Sequence, residues 1–405
     1  MTDLSTPETS DSTDITSAAT VALVARRNLW GRLYHGETSV DFYGKRKYGL
    51  ILSGVLILVT IVSLFAQGLN LGIDFEGGVA WEVPATNGIT YDEIREVLED
   101  NGIDSSSAKL RTLSTVGSTD TRINVQVGDQ TPETVQKVQA ELAAKADVEP
   151  NAVSTTSVSS SWGRSITEKA IRALVIFMVL VALFISWRFE WRMALAAIIA
   201  MVHDVLISVG VYSVFRFEVT PATVVAFLTI LGFSLYDTIV VFDKVNENTE
   251  RFAGTRTPYA DALNVSMNQV LMRSLNTSVA AVLPVLSLLV IGSGVMGAVA
   301  LREFALALLV GLLTGSYSSI FIASPVLGML KEREPKYRSL RADHATGVEL
   351  EYLVLGGSPD GHRRELARAR RSAAASGDTD SIVVPPSTPE SVLSHPPRPR
   401  KNKRR

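Results

Sequence analysis

The sequence predicts an α-helical membrane protein with six transmembrane helices and one small α+β domain outside the bilayer. Three observations predict it. The apolar residues, 46% of 405, collect in six separate runs. The formal net charge of −2 is a cancellation between an acidic stretch and a basic tail. Within the acidic stretch, strand and helix signals alternate in a regular order.

Residues 1–48 read as a cytoplasmic segment. Met1 to about Thr20 is rich in Ser, Thr and Asp and has too little apolar surface to bury, which predicts disorder. Val21–Tyr48 fits either a short amphipathic helix, with Leu23, Leu29, Trp30 and Leu33 beside Arg26, Arg27 and Arg32, or an unstructured basic linker. The first apolar run, Gly49–Leu69, carries no charge and is too apolar on every face for a soluble helix. A helix needs about 20 apolar residues to cross the hydrocarbon core. The run starts far from the N-terminus and no small-x-small site follows it, so it reads as an uncleaved start-transfer helix. Five more runs follow at Ala173–Trp187, Met193–Phe215, Pro221–Phe242, Leu275–Ile291 and Phe304–Leu330. They place transmembrane helices two to six within 164–330.

Residues 70–163 read as the compact domain. Gly78–Val83 predicts a strand. Thr90–Asp100 predicts a helix, with Thr90 as N-cap and Glu93 completing a capping box. Lys109–Leu113 and Arg122–Val127 predict strands, the second alternating Ile123, Val125 and Val127. Thr131 caps a helix from Pro132 to about Ala146, with Pro132 at its first position, and Val153–Val158 closes as a strand. The order β-α-β-β-α-β is the ferredoxin-like arrangement.

Charge sets the topology. Between Leu69 and Gly163 there are 6 Lys/Arg against 15 Asp/Glu, whereas Lys331–Arg405 holds 16 against 10. Basic residues also flank the other ends on one side: Lys45, Arg46 and Lys47 before helix one, Arg188 and Arg192 between helices two and three, and Lys244, Arg251 and Arg256 between four and five. The positive-inside rule therefore predicts both termini in the cytoplasm and the acidic domain outside. Lys169 and Arg172 oppose it weakly. The tail 331–405 reads as disordered and ends in a Pro-rich basic stretch. Three fates fit it: contact with anionic lipid, contact with ribosomal RNA, or a solubilising tail without a partner.

The composition also excludes chemistry. Without cysteine there is no disulfide, thiolate metal site or cysteine nucleophile. There is no GxxxxGK[ST] loop for ATP, no HExxH, and no paired-aspartate signature of an intramembrane protease. No enzymatic activity and no cofactor are expected, and energy must come from a partner or from the membrane potential. The intramembrane ionisable residues become the main candidates: His203 and Asp204 in helix three, Asp237 in helix four, and Arg273, which opens helix five. Such groups cost about 2.5–3.5 kcal/mol or more at the bilayer centre and usually pair along a polar path. A carboxylate raised by burial and lowered by an arginine can load and release protons. A static ion pair at Asp237, or a static polar cluster at His203 and Asp204, is the alternative. In helix six, Ala307, Gly311, Gly315, Ser319 and Ala323 recur every four residues, a small-residue stripe that predicts a packing seam and not a chemical site.

Five motifs in order carry a resemblance. They are GIDFEGG at Gly72–Gly78, VHD at Val202–Asp204, LGFSLYDTIVVFDKVNEN at Leu231–Asn248, SLNTS at Ser274–Ser278, and LREFALALLVGLLTGSYSSIFIASPVL at Leu301–Leu327. Over roughly Asp41 to Leu330 the chain resembles the SecF family of bacterial protein translocase subunits, within the resistance-nodulation-division superfamily. The resemblance implies a subunit of the cytoplasmic membrane that pairs with SecD and associates with the SecYEG channel. Such a subunit uses the proton-motive force to draw preproteins outward after the SecA motor has pushed them in. It implies that Asp237 and Arg273 belong to the proton path. It also implies that Gly72, Asp74, Phe75, Gly77 and Gly78 form the junction on which the outer domain swings. Tyr236 stands where many relatives have Asn; its phenol could still donate a hydrogen bond to Asp237. The long basic tail exceeds the family pattern. Two other functions compete: a proton-driven lipid or drug exporter of the same superfamily, and a scaffold that transduces nothing. A single outer domain leaves no porter domain for a small molecule.

Overall fold

Among the described residues, six helices are long and apolar enough to cross a membrane: Arg46–Gln67, Ser160–Arg188, Trp191–Val214, Pro221–Arg251, Tyr259–Gly292 and Leu301–Lys331. The computed structural model describes residues 29–35, 37–85, 88–114, 121–295, 299–340 and 344–355. In chain order the elements are α1 (Leu29–Tyr34), α2 (Arg46–Gln67), β1 (Asn70–Leu71), α3 (Ile73–Glu76), β2 (Gly78–Pro84), α4 (Tyr91–Asp100), β3 (Lys109–Ser114), β4 (Thr121–Val127), α5 (Pro132–Lys145) and β5 (Ser154–Val158). They continue with α6 (Ser160–Arg188), α7 (Trp191–Val214), β6 (Glu218–Val219), α8 (Pro221–Arg251), α9 (Tyr259–Ser287), α10 (Val299–Ser318), α11 (Ser324–Lys331), α12 (Pro335–Arg338) and α13 (Val348–Val354). π-Helical turns at Leu288–Val295 and Ser319–Ala323 extend α9 and α10.

The α+β domain is ferredoxin-like. Its four strands lie in the order β3-β4-β2-β5, every pair antiparallel. Alternation decides which face is buried: Val79, Trp81 and Val83 of β2 and Ile123, Val125 and Val127 of β4 point to one side. There they pack on Ile94 and Leu98 of α4 and Val138 and Leu142 of α5. Both helix starts behave as their sequence predicts. Thr90 accepts from the Glu93 amide while the Glu93 carboxylate accepts from the Thr90 amide, closing the capping box. Thr131 caps α5 ahead of Pro132.

The chain divides into two compact units. The described parts of Met1–Lys47, Ile239–Leu275 and Ser324–Arg405 form one; Tyr48–Thr238 and Asn276–Ala323 form the other. In the first, the segment Thr38–Gly44 is held by α9: Asn268 bonds both the amide and the carbonyl of Val40 at 2.9 and 2.8 Å, and Asn264 accepts from the Tyr43 amide at 2.9 Å. Leu350, Leu353 and Val354 of α13 pack on Phe252, Ala262 and Val265. Arg32 of α1 pairs with Glu351 at 2.6 Å.

The structure corrects three expectations here. The described tail residues, 331–340 and 344–355, include the helices α12 and α13, because apolar positions at helical spacing in α13 meet a hydrophobic partner; averaging over a polar tail hides them. The basic, Pro-rich end lies outside the described residues, as does Met1 to Thr20, and the amphipathic helix is confined among the described residues to Leu29–Tyr34. Arg273 does not open a helix: α9 begins at Tyr259 and Arg273 lies near its middle. The first half of α9 carries Asp261, Asn264, Ser266 and Asn268, which depress its hydropathy but find tertiary partners. The apolar run begins only at Leu275, well after the helix does. For the same reason α8 continues past Phe242 to Arg251.

In the second unit, Phe75 of α3 packs with Tyr212 of α7, Ala226 and Ile230 of α8, Val285 of α9, and Ala305, Leu308 and Leu312 of α10. β1 pairs in parallel with β6. Gly77 and Gly78 have φ of +81° and +120°, values that L side chains rarely adopt. A Cβ on Gly77 would collide with Ser160 backbone, and one on Gly78 with the Val127 carbonyl. The glycines therefore bring the chain tightly past the start of α6 and the end of β4.

Candidate functional site in the membrane helices

α7, α8 and α10 meet around two buried carboxylates. The small-residue stripe makes this possible. A Cβ on Gly311 would overlap Ile230, and one on Gly315 would lie 2.9 Å from the Ser234 Cβ, so only small residues let α10 lie this close to α8. At that contact Ser319 donates to Asp237 Oδ2 at 2.6 Å. The preceding Ser318 donates to Asp204 Oδ2 at 2.8 Å. Ser234, one turn before Asp237 on α8, donates to the same Asp204 oxygen at 2.5 Å. The expectation that the stripe is only a packing seam is thus corrected: its Ser319 is a direct partner of Asp237. A π-helical turn starts at Ser319, and such turns are frequent at functional sites.

The network continues from Asp204, which is 1% exposed. His203 Nδ1 lies 3.1 Å from Asp204 Oδ1, and His203 Nε2 lies 3.1 Å from Ser53 Oγ on α2. Ser53 in turn lies 3.0 Å from the Tyr317 hydroxyl, which donates to the Gly49 carbonyl at 2.8 Å. Donor counting places the protons. The Tyr317 hydrogen is used on Gly49, so Ser53 donates to Tyr317 and must accept from His203 Nε2–H. One proton is then left to bridge His203 Nδ1 and Asp204 Oδ1. The pair is either imidazolium–carboxylate or imidazole–carboxylic acid, and neutral as a whole in both.

Asp237 is buried on its Ser319 side and fronts a cavity of about 40 Å³ lined by Ser234, Tyr236, Thr277, Ser278, Gly315 and Ser316, among others. That is room for about one water. Ser278 and Ser316 hydrogen-bond each other at 2.7 Å in this lining. Tyr236 is 55% exposed, because adjacent helix residues point about 100° apart. The structure therefore brings together Asp237, Asp204, His203, Gly311, Gly315 and Ser319. Arg273 is exposed and belongs to the other compact unit. Ala323 is buried at the end of the π turn. The junction residues Gly72, Asp74, Phe75, Gly77 and Gly78 surround α3, where burial raises the Asp74 carboxyl above its ordinary range. Sequence reasoning missed Ser53, Ser234, Tyr317 and Ser318. Ser234 at i−3 from Asp237 and the tandem Ser318–Ser319 were the available signals.

Six apolar spans, a ferredoxin-like domain inserted after the first, and carboxylates held by hydroxyls inside the bundle define a multi-pass membrane protein of the SecD/SecF export class. The family model "Protein export membrane protein SecD/SecF, C-terminal" matches residues 137–333, and the SecD/SecF GG motif matches residues 62–80. The protein translocase subunit SecF of Streptomyces coelicolor is 42% identical over 315 residues, covering 77% of this chain and 82% of that protein. SecF of Mycobacterium tuberculosis H37Rv is 36% identical over 367 residues, covering 89% of this chain and 78% of that protein. The crystal structure of SecDF from Thermus thermophilus superposes with a TM-score of 0.66 at 30% identity, covering 74% of this chain; the chain spans 39% of that longer protein. The chain belongs to the SecF family of protein translocase subunits.

Proposed function

We propose that this subunit, paired with SecD at the SecYEG channel, couples the proton-motive force to the late stage of preprotein export across the cytoplasmic membrane. Asp237 is the group that loads and releases the proton. The observation that carries the reading is its placement: a carboxyl buried in a transmembrane helix, held by Ser319 on one side and open to a water-sized cavity on the other. Moving one charge across 100 mV is worth about 2.3 kcal/mol, enough to bias a conformational step. When a proton binds Asp237 at Oδ2, the oxygen that accepts from Ser319, that oxygen becomes a donor and the Ser319 hydroxyl turns to a different acceptor. The Gly315 carbonyl, 2.9 Å from Ser319 Oγ, is at hand. That exchange alters the contact between α8 and α10. The neutral His203–Asp204 pair holds the neighbouring turn through Ser234 and Ser318, so it positions the relay. Arg273 is carried over from the family pattern as the positive charge of the cycle. Both termini are placed in the cytoplasm and the acidic ferredoxin-like domain outside, which the charge distribution supports, and the junction at Gly72–Gly78 links its movement to the helices.

Asp237→Asn keeps the size and the hydrogen-bonding capacity of the side chain but cannot titrate. In proteoliposomes containing SecD, SecYEG and SecA, the variant is expected to assemble and to support SecA-driven entry while losing the stimulation by a proton gradient. Undiminished stimulation would sink the relay role.

A further inference from the structure

At the end of the bundle beside the ferredoxin-like domain lies a second cavity, of about 190 Å³, lined in part by Arg111, Tyr212, Arg216, Glu218, Arg302 and Glu303. Glu303, in α10, is 6% exposed. Its carboxyl takes a hydrogen bond from Thr220 and feels the positive charges of Arg111 and Arg302 and the negative charge of Asp74. From α7 the Tyr212 hydroxyl donates to the Glu303 backbone carbonyl at 3.1 Å. Glu218 of β6 is ion-paired with Arg111 and accepts from Gln126 at 2.9 Å. Arg216 donates to the Gln67 carbonyl at 2.5 Å. Burial presses the Arg111 guanidinium below its usual range, and the Glu303 charge is the largest influence opposing it. The Arg302 Nε is buried without a hydrogen-bond partner among the described residues, so polar capacity in this cavity is left for water. The volume holds several water molecules.

Arg111 belongs to β3 of the ferredoxin-like domain. Glu303 belongs to the helix that also carries Ser318 and, in its continuation, Ser319. A charge on Glu303 thus ties the domain to that helix, and a half-buried arginine that loses one of two carboxylates is left less well compensated. We infer that Glu303 is a proton-sensing group at the outer mouth of the bundle, and that its protonation loosens the hold on Arg111 and frees the ferredoxin-like domain to move against α10. The inference rests on the outward placement of that domain given under the proposed function and extends it to the side from which protons arrive.

The chain has no cysteine, so Gln136→Cys and Phe215→Cys, both at exposed positions, accept a unique pair of spin labels. The distance between them is measured in the full-length chain in lipid nanodiscs at neutral and acid pH. The wild-type side chains should give a narrow distribution at neutral pH and a broader, longer one at acid pH. Glu303→Gln should give the acid distribution at both. Arg111→Gln, which removes the other partner, should do the same and serves if Glu303→Gln folds poorly. A wild-type distance that ignores pH, or a variant of either kind that keeps the full pH response, overturns the inference. Asp237→Asn should leave this pH response in place. Loss of the relay role at Asp237 and loss of the sensor role at Glu303 are therefore read in separate measurements.

Discussion

Asp204 and Asp237 show why residue type alone does not assign a role inside a membrane. Asp204 is saturated: Ser234 and Ser318 serve one oxygen and His203 the other. Asp237 faces Ser319 and a small cavity. Both carboxylates and the histidine are legible in the sequence, since an ionisable group in an apolar run needs a reason to be there. Their partners are not, because serine is common in these helices and only packing selects which hydroxyls arrive. The shared proton makes a testable statement. Removing one member of a buried pair costs about 3–5 kcal/mol, whereas removing both costs less. His203→Gln and Asp204→Asn should each lower the thermal stability of the purified protein. The double variant should be less destabilised than the two losses added, giving a coupling that a double-mutant cycle detects. Additive losses would show that the two side chains do not share the proton.

Elements were legible to the extent that their signals are local. Thr90 with Glu93, and Thr131 with Pro132, mark α4 and α5 because a cap is satisfied within one turn. The Glu93 carboxylate accepts from both the Thr90 amide and hydroxyl at 2.8 Å, and these bonds hold its pKa below the ordinary range. The cap's contribution is present above the unfolded value and is lost as pH falls through the lowered one. Thr90→Ala should cost about 1 kcal/mol, seen as faster amide exchange in the first turn of α4, with the pH dependence of that protection flattened. Helix ends set by tertiary partners were not legible. The polar half of α9 is stabilised by bonds such as Asn268 to Val40, and Glu303 stands one residue before the apolar run from which helix six was read. The seam between α8 and α10 carries its own prediction. Gly311→Leu should force the helices apart at Ile230 and so weaken the Ser319–Asp237 contact. Proton-dependent export should fall in this variant even though Asp237 is intact, while Ala323→Gly, beyond the carboxylates, should have a smaller effect.

For the molecule as a whole, the distribution of charge says more than its sum. The acidic ferredoxin-like domain and the basic tail cancel in the net charge, yet their separation in sequence is what sets the proposed topology. The proposed function needs a path by which a proton on Asp237 changes what a distant domain does, and α10 supplies the physical candidate. It carries Glu303 beside Arg111, then Gly311 and Gly315 against α8, then the serines at the two carboxylates. Under the proposed function, protons cross with each export event and Asp237 carries them. The most direct measurement is proton movement itself, read with a pH-sensitive dye sealed inside proteoliposomes that hold the assembled machinery while a preprotein is translocated. An internal pH change should track translocation with the wild-type chain and be absent with Asp237→Asn assembled to the same level. An equal pH change in the two would rule out Asp237 as the proton carrier.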